Sequence, residues 1–167
     1  MRYNKIRKMD ISNGPGVRVS IFMQGCTFNC KNCFNPETHD FNGGQEFNYE
    51  AIEQILKLCE NENIKGLSIL GGEPMHPFNI EGTMELAKAF KEKFPNKTIW
   101  VWTGFLFDRD LKEKEILKYI DVLVDGQYVD EKRNPKLKYR GSSNQRVIDV
   151  KRSLKENKIV IIPDVSE

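Results

Sequence analysis

The sequence predicts an α/β fold, a partial, open β/α barrel with a mostly parallel sheet. Three observations predict it. Short β-branched or apolar runs alternate with helical patterns along the chain, and this alternation favours parallel strands joined by right-handed crossovers. Four of those runs lead directly into glycine-bearing segments. The chain has 167 residues, too few for a complete eight-fold barrel of about 250 residues and enough for one domain with a core, so a single domain over residues 1–167 is expected.

Residues 17–23, 67–70, 98–102, 121–124, 146–150 and 159–162 read as strands. Between them, residues 48–61 read as a helix. Ile52, Ile55, Leu56 and Cys59 fall on one stripe, and Asn48 is placed to cap it. A second helix spans 79–94, with Ile80, Met84, Ala87, Phe90 and Phe94 near one face and Pro95 as its stop. A third is expected over 110–120, on a stripe of Leu111, Ile116, Tyr119 and Ile120. Trp100 and Trp102 alternate with Ile99 and Val101 as strand residues do.

Composition excludes several classes. A hydrophobic content of 39%, a charged content of 30% and a net charge of +2 are those of an ordinary globular chain. They give no footprint for nucleic acid. The dense basic stretch 132–140 reads as a solvated loop. No apolar run approaches the roughly 20 residues of a membrane span, and Met1 to Lys5 lack the apolar core of a signal peptide. A cytoplasmic protein is expected.

The glycine-bearing segments carry the functional argument. Met23 leads into Gln24-Gly25-Cys26, Leu70 into Gly71-Gly72-Glu73-Pro74, Trp102 into Thr103-Gly104 and Val124 into Asp125-Gly126. The carboxyl ends of parallel strands form the ligand-binding edge of such folds, so these residues converge on one rim.

Three of the four cysteines, Cys26, Cys30 and Cys33, fall in a C-x3-C-x2-C arrangement. Disulfides between such close neighbours are strained, and a metal site is the better reading. Three thiolates on one loop can hold three irons of a 4Fe–4S cubane and leave the fourth open to a substrate's amino and carboxylate groups. A structural zinc site usually takes four ligands in two separated pairs. Here only Cys59, His39 and His76 remain as fourth ligands. Cys59 lies on the apolar stripe of a helix, where core packing is its expected role, and the two histidines read as surface or packing residues. An electron-transfer ferredoxin would normally add a fourth cysteine.

These residues resemble the radical S-adenosylmethionine superfamily, whose hallmark is a C-x3-C-x2-C loop after the first barrel strand. Asn13-Gly14-Pro15-Gly16-Val17-Arg18 and Cys33-Phe34-Asn35-Pro36 look like the glycyl-radical-enzyme activases. Thr103-Gly104, Asp125-Gly126-Gln127-Tyr128 and the segment from Arg140 to Arg146 are similar to the subgroup that serves anaerobic ribonucleoside-triphosphate reductase. The resemblance runs from about Asn13 to Asp149.

It implies one 4Fe–4S cluster on Cys26, Cys30 and Cys33, with S-adenosyl-L-methionine bound around Asn32, Cys33, Phe34, Gly71, Gly72, Glu73, Pro74 and Thr103. Gly71 and Gly72 are expected to let the backbone approach the cofactor, and Glu73 to pair with its ammonium group. The superfamily often sets an aromatic residue just before the last cysteine. Here Asn32 stands there and Phe34 follows, so backbone groups of both are expected to cover the adenine. The implied partners are the glycyl-radical subunit of the reductase and an external reductant such as flavodoxin, with no nucleic acid and no membrane. Another glycyl-radical enzyme of the pyruvate formate-lyase type is the alternative target, and a non-enzymatic iron–sulfur or zinc protein the alternative class. Asp125-Gly126 and Gly141-Ser142-Ser143-Asn144 also have ordinary turn chemistry.

Overall fold

Period-two alternation along the second strand, β2 (Val17–Gln24), sorts the molecule into two faces. Val19, Ile21 and Met23 enter the main core, whereas Arg18, Ser20 and Phe22 alternate with them on the concave face. The computed structural model describes residues 1–163; the end of the expected domain, 164–167, lies outside the described residues.

The remaining strands are β1 (Arg2–Asp10), β3 (Gln45–Glu46), β4 (Ile64–Gly71), β5 (Thr98–Trp102), β6 (Val122–Asp125) and β7 (Arg146–Asp149). They form one seven-stranded sheet in the order β3-β1-β2-β4-β5-β6-β7. Strands β2, β4, β5 and β6 are parallel. Antiparallel strands flank this centre, β1 and β3 on one side and β7 on the other. The sheet is thus partly parallel and open, a barrel that does not close. Helices α1 (Tyr49–Leu58) and α2 (Ile80–Lys93) cover the convex face. Ile55, Leu86 and Phe90 there pack with Leu67, Ile69, Ile99 and Val101.

Asn48 caps α1, its side-chain oxygen accepting the Ala51 N–H at 3.0 Å. Cys59 closes that helix, fully buried in the core, as its stripe position predicts. Asn79, at the start of α2, gives its side chain to other work: its amide donates to the carbonyls of Gln24 at 3.2 Å and Glu73 at 3.0 Å.

Several expected elements differ. The helix expected over 110–120 is a π-type turn over Phe107–Leu111 followed by a 3-10 turn over Glu115–Tyr119. Leu111 and Ile116 are five residues apart, one too many for a continuous α-helical stripe, and the residues between them are all charged. Strand 146–150 ends at Asp149, whose side chain caps a short helix, α3 (Val150–Glu156), by accepting the Arg152 N–H. Residues 159–162 contribute a single bridge, Ile148 to Ile161, rather than a strand. The sequence shows no period for β1, because register shifts at Tyr3/Lys5 and Arg7/Asp10 break its alternation.

Arg18 stoppers the amino-terminal end of the half-barrel. Its guanidinium is fully buried and donates to Ser68 Oγ, Thr98 Oγ1 and the carbonyls of Pro15, Leu67 and Thr98. All five of its N–H donors are thereby used. Burial lowers its pKa to about 10, and it stays a cation at physiological pH.

Candidate functional site

The strand ends assemble as the glycine-bearing segments predicted. Gly72 N–H donates to Met23 O at 2.9 Å and Glu73 N–H to Gly25 O at 2.8 Å, stitching the end of β4 to the end of β2. Thr103 N–H donates to Val124 O at 3.0 Å, joining β5 to β6. The convergence opens a cavity of ≈ 590 Å³ on the concave side, within the usual size range of cofactor sites.

Cys26, Cys30 and Cys33 line this cavity together. All three are free thiols of intermediate exposure. Burial pushes the Cys26 thiol up to about 11 and raises Cys33 as well. Thiols so shifted need a strong cation to hold them as thiolates. The loop is shaped by two left-handed residues, Asn29 (φ 51°) and Asn32 (φ 55°), a region asparagine tolerates better than most residues. The Cys33 sulfur accepts the Asn35 N–H at 3.4 Å. Beyond it, Pro36–Thr38 form a 3-10 turn. Gly25 and Cys26 donate to the carbonyls of Thr38 and His39, so the loop returns against its own start.

Among the described residues no three His, Cys, Asp or Glu side chains are drawn together as ligands of a single ion. A cubane asks for something different, three thiols spread over three irons around one concave space. The shared cavity and the soft donor set fit that group.

Phe34, Gly71, Gly72, Glu73 and Thr103 also line the cavity. Asn32 and Pro74 do not. Asn32 turns its side chain outward to Asp130, and Pro74 is buried behind the rim with its carbonyl accepting from Thr83. Gly71 and Gly72 are compelled by the protein's own backbone, a stronger demand than the expected approach of a cofactor. Gly71 has φ +113° and a Cβ there would lie 2.5 Å from Met23 N. At Gly72 a Cβ would lie 2.6 Å from Gly25 O and 2.8 Å from Thr38 O.

Glu73 is 1% exposed. Its Oε2 accepts from Thr103 Oγ1 at 2.6 Å and Met75 N at 2.9 Å, and its Oε1 from Gly104 N at 2.7 Å. Desolvation outweighs these donors and raises its pKa to about 7. Asp125, also fully buried, is committed elsewhere: Arg146 grips both its oxygens, at 2.9 and 2.6 Å. His39 lines the cavity, while His76 sits in an aromatic cluster with Phe41 and Phe78.

Aromatic residues form further walls of the cavity, Tyr128 of the quoted Asp125-to-Tyr128 segment among them. Phe28 packs edge-on against Phe105 and covers Gly104. Trp102 faces inward, its indole N–H bonded to Tyr139 O at 2.7 Å. Tyr128 packs on Phe34 with ring centroids 4.8 Å apart and the planes tilted by 48°. Asn35 was legible only as part of the Asn-Pro pair after the last cysteine.

Comparison with known proteins agrees with the donor set. A 4Fe–4S single cluster domain is matched over residues 12–148. The chain is 40% identical over 148 residues to the anaerobic ribonucleoside-triphosphate reductase-activating protein of Vibrio cholerae, covering 87% of this chain and 96% of that one. The protein of the same name from Enterobacteria phage T4 is 41% identical over 148 residues, covering 88% and 93%. That from Escherichia coli K12 is 39% identical over 150 residues, covering 88% and 97%. The chain therefore belongs to the 4Fe–4S single cluster domain family and, within it, to the family of the anaerobic ribonucleoside-triphosphate reductase-activating proteins.

Proposed function

We propose that this chain is a radical S-adenosylmethionine activase whose target is anaerobic ribonucleoside-triphosphate reductase. The observation that carries the reading is the meeting of Cys26, Cys30 and Cys33 with Gly71, Gly72, Glu73 and Thr103 around one cavity. With a 4Fe–4S cluster on the three cysteines, one electron from an external low-potential reductant such as flavodoxin would split S-adenosylmethionine into methionine and a 5′-deoxyadenosyl radical, which takes a hydrogen atom from a backbone glycine of the reductase.

The chain's own residues supply the rest. In this reading Glu73, when ionised, offers its remaining acceptor capacity to the cofactor's ammonium group. Thr103 and Gly104 fix the carboxylate's orientation. Phe34, Tyr128, Phe28 and Trp102 line the cavity with aromatic rings, apolar surface against which the cofactor would lie. The open side of the sheet leaves room for a polypeptide loop to reach the cavity. The four free thiols support a reducing, cytoplasmic setting.

The test is anaerobic reconstitution with iron and sulfide, followed by a strong reductant and S-adenosylmethionine, with and without the reductase. The expected result is 5′-deoxyadenosine and methionine in equal amounts from the wild type and none from Cys30→Ala. A cluster that forms and reduces, yet yields neither product even with the reductase present, would sink the proposal and leave an electron carrier.

A further inference from the structure

The loop that carries the three cysteines is held at its outer side by a segment about a hundred residues away. Asn32 Nδ2 donates to Asp130 Oδ2 at 2.9 Å, and Asp130 Oδ1 accepts the Tyr128 hydroxyl at 2.8 Å. The Tyr128 ring in turn packs on Phe34, one residue past the last cysteine. Gly141 backs both rings: a Cβ there would lie 2.6 Å from Phe34 and 3.1 Å from Tyr128. One carboxylate thus ties together both contacts that flank Cys33.

The other contacts between the two segments are weak. Lys31 and Glu131 are 3.9 Å apart and both more than 70% exposed, a pair that contributes little in water. Gln127 reaches Phe28 O only at 3.4 Å, near the limit of a hydrogen bond. The Asn32–Asp130 bond is also exposed, but at 2.9 Å it is fully formed and its acceptor is charged. It also acts on a residue in the left-handed region, which asparagine tolerates and which an outside partner fixes further.

We propose that Asp130, with Tyr128, is a positioning residue that splints the cysteine loop in its ligand-ready shape before any cluster is loaded. The proposal rests on the cysteine reading given above and adds to it a part of the chain remote in sequence. A loop ordered in advance loses less conformational freedom when it takes its ligand. The splint therefore acts on how fast the cluster assembles and how long it stays.

The experiment compares wild type, Asp130→Ala, Asn32→Ala, the double variant, Tyr128→Phe, Glu131→Ala and Cys30→Ala. In the iron-free proteins, alkylation of Cys26, Cys30 and Cys33 by iodoacetamide is followed by mass spectrometry. In the anaerobically reconstituted proteins, iron content is measured, and then the decay of visible absorbance under excess chelator.

Asp130→Ala and Asn32→Ala are expected to shorten cluster lifetime about threefold, in keeping with one exposed hydrogen bond to a charged group, and to speed alkylation of the loop thiols. The double variant should lose less than the sum of the two single losses, because the Asn32–Asp130 bond is counted in both. Tyr128→Phe should fall between, and Glu131→Ala should match wild type. Wild-type lifetime and alkylation in Asp130→Ala would overturn the proposal. So would an equal loss accompanied by a lower melting temperature of the iron-free protein, which would make the contact a general support of the fold. Loss of iron in Cys30→Ala with a wild-type Asp130→Ala refutes the splint alone; full iron in Cys30→Ala refutes the cysteine reading itself.

Discussion

Thr103 Oγ1 donates a 2.6 Å hydrogen bond to Glu73 Oε2 across the carboxyl ends of β4 and β5, thirty residues apart in sequence. The bond joins two of the four glycine-bearing segments and favours the ionised form of Glu73 against the desolvation that raises its pKa. Thr103→Val keeps the shape and removes the donor. It is expected to cost about 2 kcal/mol at pH 8, where the carboxylate is ionised, as hydrogen bonds to buried charged groups do. Urea denaturation of the iron-free protein measures it.

Glu73 also makes stability depend on pH. Its ordinary value of 4.5 is raised to about 7 in the folded protein, mainly by desolvation. The folded state therefore holds this proton more tightly than the unfolded chain. Its contribution is fully favourable below pH 4.5 and is lost as pH rises through 7, by about 3 kcal/mol in all. Glu73→Gln should remove this slope, so the difference between variant and wild type, measured by urea denaturation from pH 5 to 8, isolates it. On the proposed reading, affinity for S-adenosylmethionine should rise over the same interval, as the carboxylate becomes available to the ammonium group.

Gly72→Ala should be poorly tolerated. The added methyl meets two backbone oxygens, Gly25 O and Thr38 O, which cannot swing aside as a side chain would. A loss of about 2 kcal/mol or more is expected. Because Gly25 precedes Cys26, iron content after reconstitution should fall too, with every cysteine intact. A normal iron content in a stably folded Gly72→Ala would contradict this.

Cys59 gives the opposite pattern. It is fully buried in the core, and burial pushes its thiol up to about 12. Cys59→Ser buries a hydroxyl in an apolar setting and should destabilise by about 1–3 kcal/mol, while iron content stays at the wild-type level. Loss of iron without loss of stability would make Cys59 a ligand instead.

The rim was readable in the sequence because its chemistry is local. Cys26, Cys30 and Cys33 lie within one turn and loop, and each glycine-bearing segment follows directly on its strand. What ties the rim together was not readable, since it is made of long-range contacts without a local pattern. Glu73 with Thr103, Asn79 with Gln24 and Asn32 with Asp130 are examples. The same distinction explains the errors in the fold. The stripes of α1 and α2 keep helical spacing and were found. Strand β1 was missed because its two bulges erase the period that marks a strand. The helix expected over 110–120 failed at the five-residue gap between Leu111 and Ile116. Helix α3 offered only seven residues, though Asp149 before it and Asn157 after it (φ 53°) are the cap residues that could have announced it.

The buried Arg18 has a kinetic consequence. By stoppering the amino-terminal end with all five donors spent inside the chain, it makes the half-barrel a cup and not a tube. With that end closed, the ways into the cavity are the rim and the open flank. On the proposed function, a reductase docked over the rim would leave the flank as the path for a small product, so release would not have to wait for undocking.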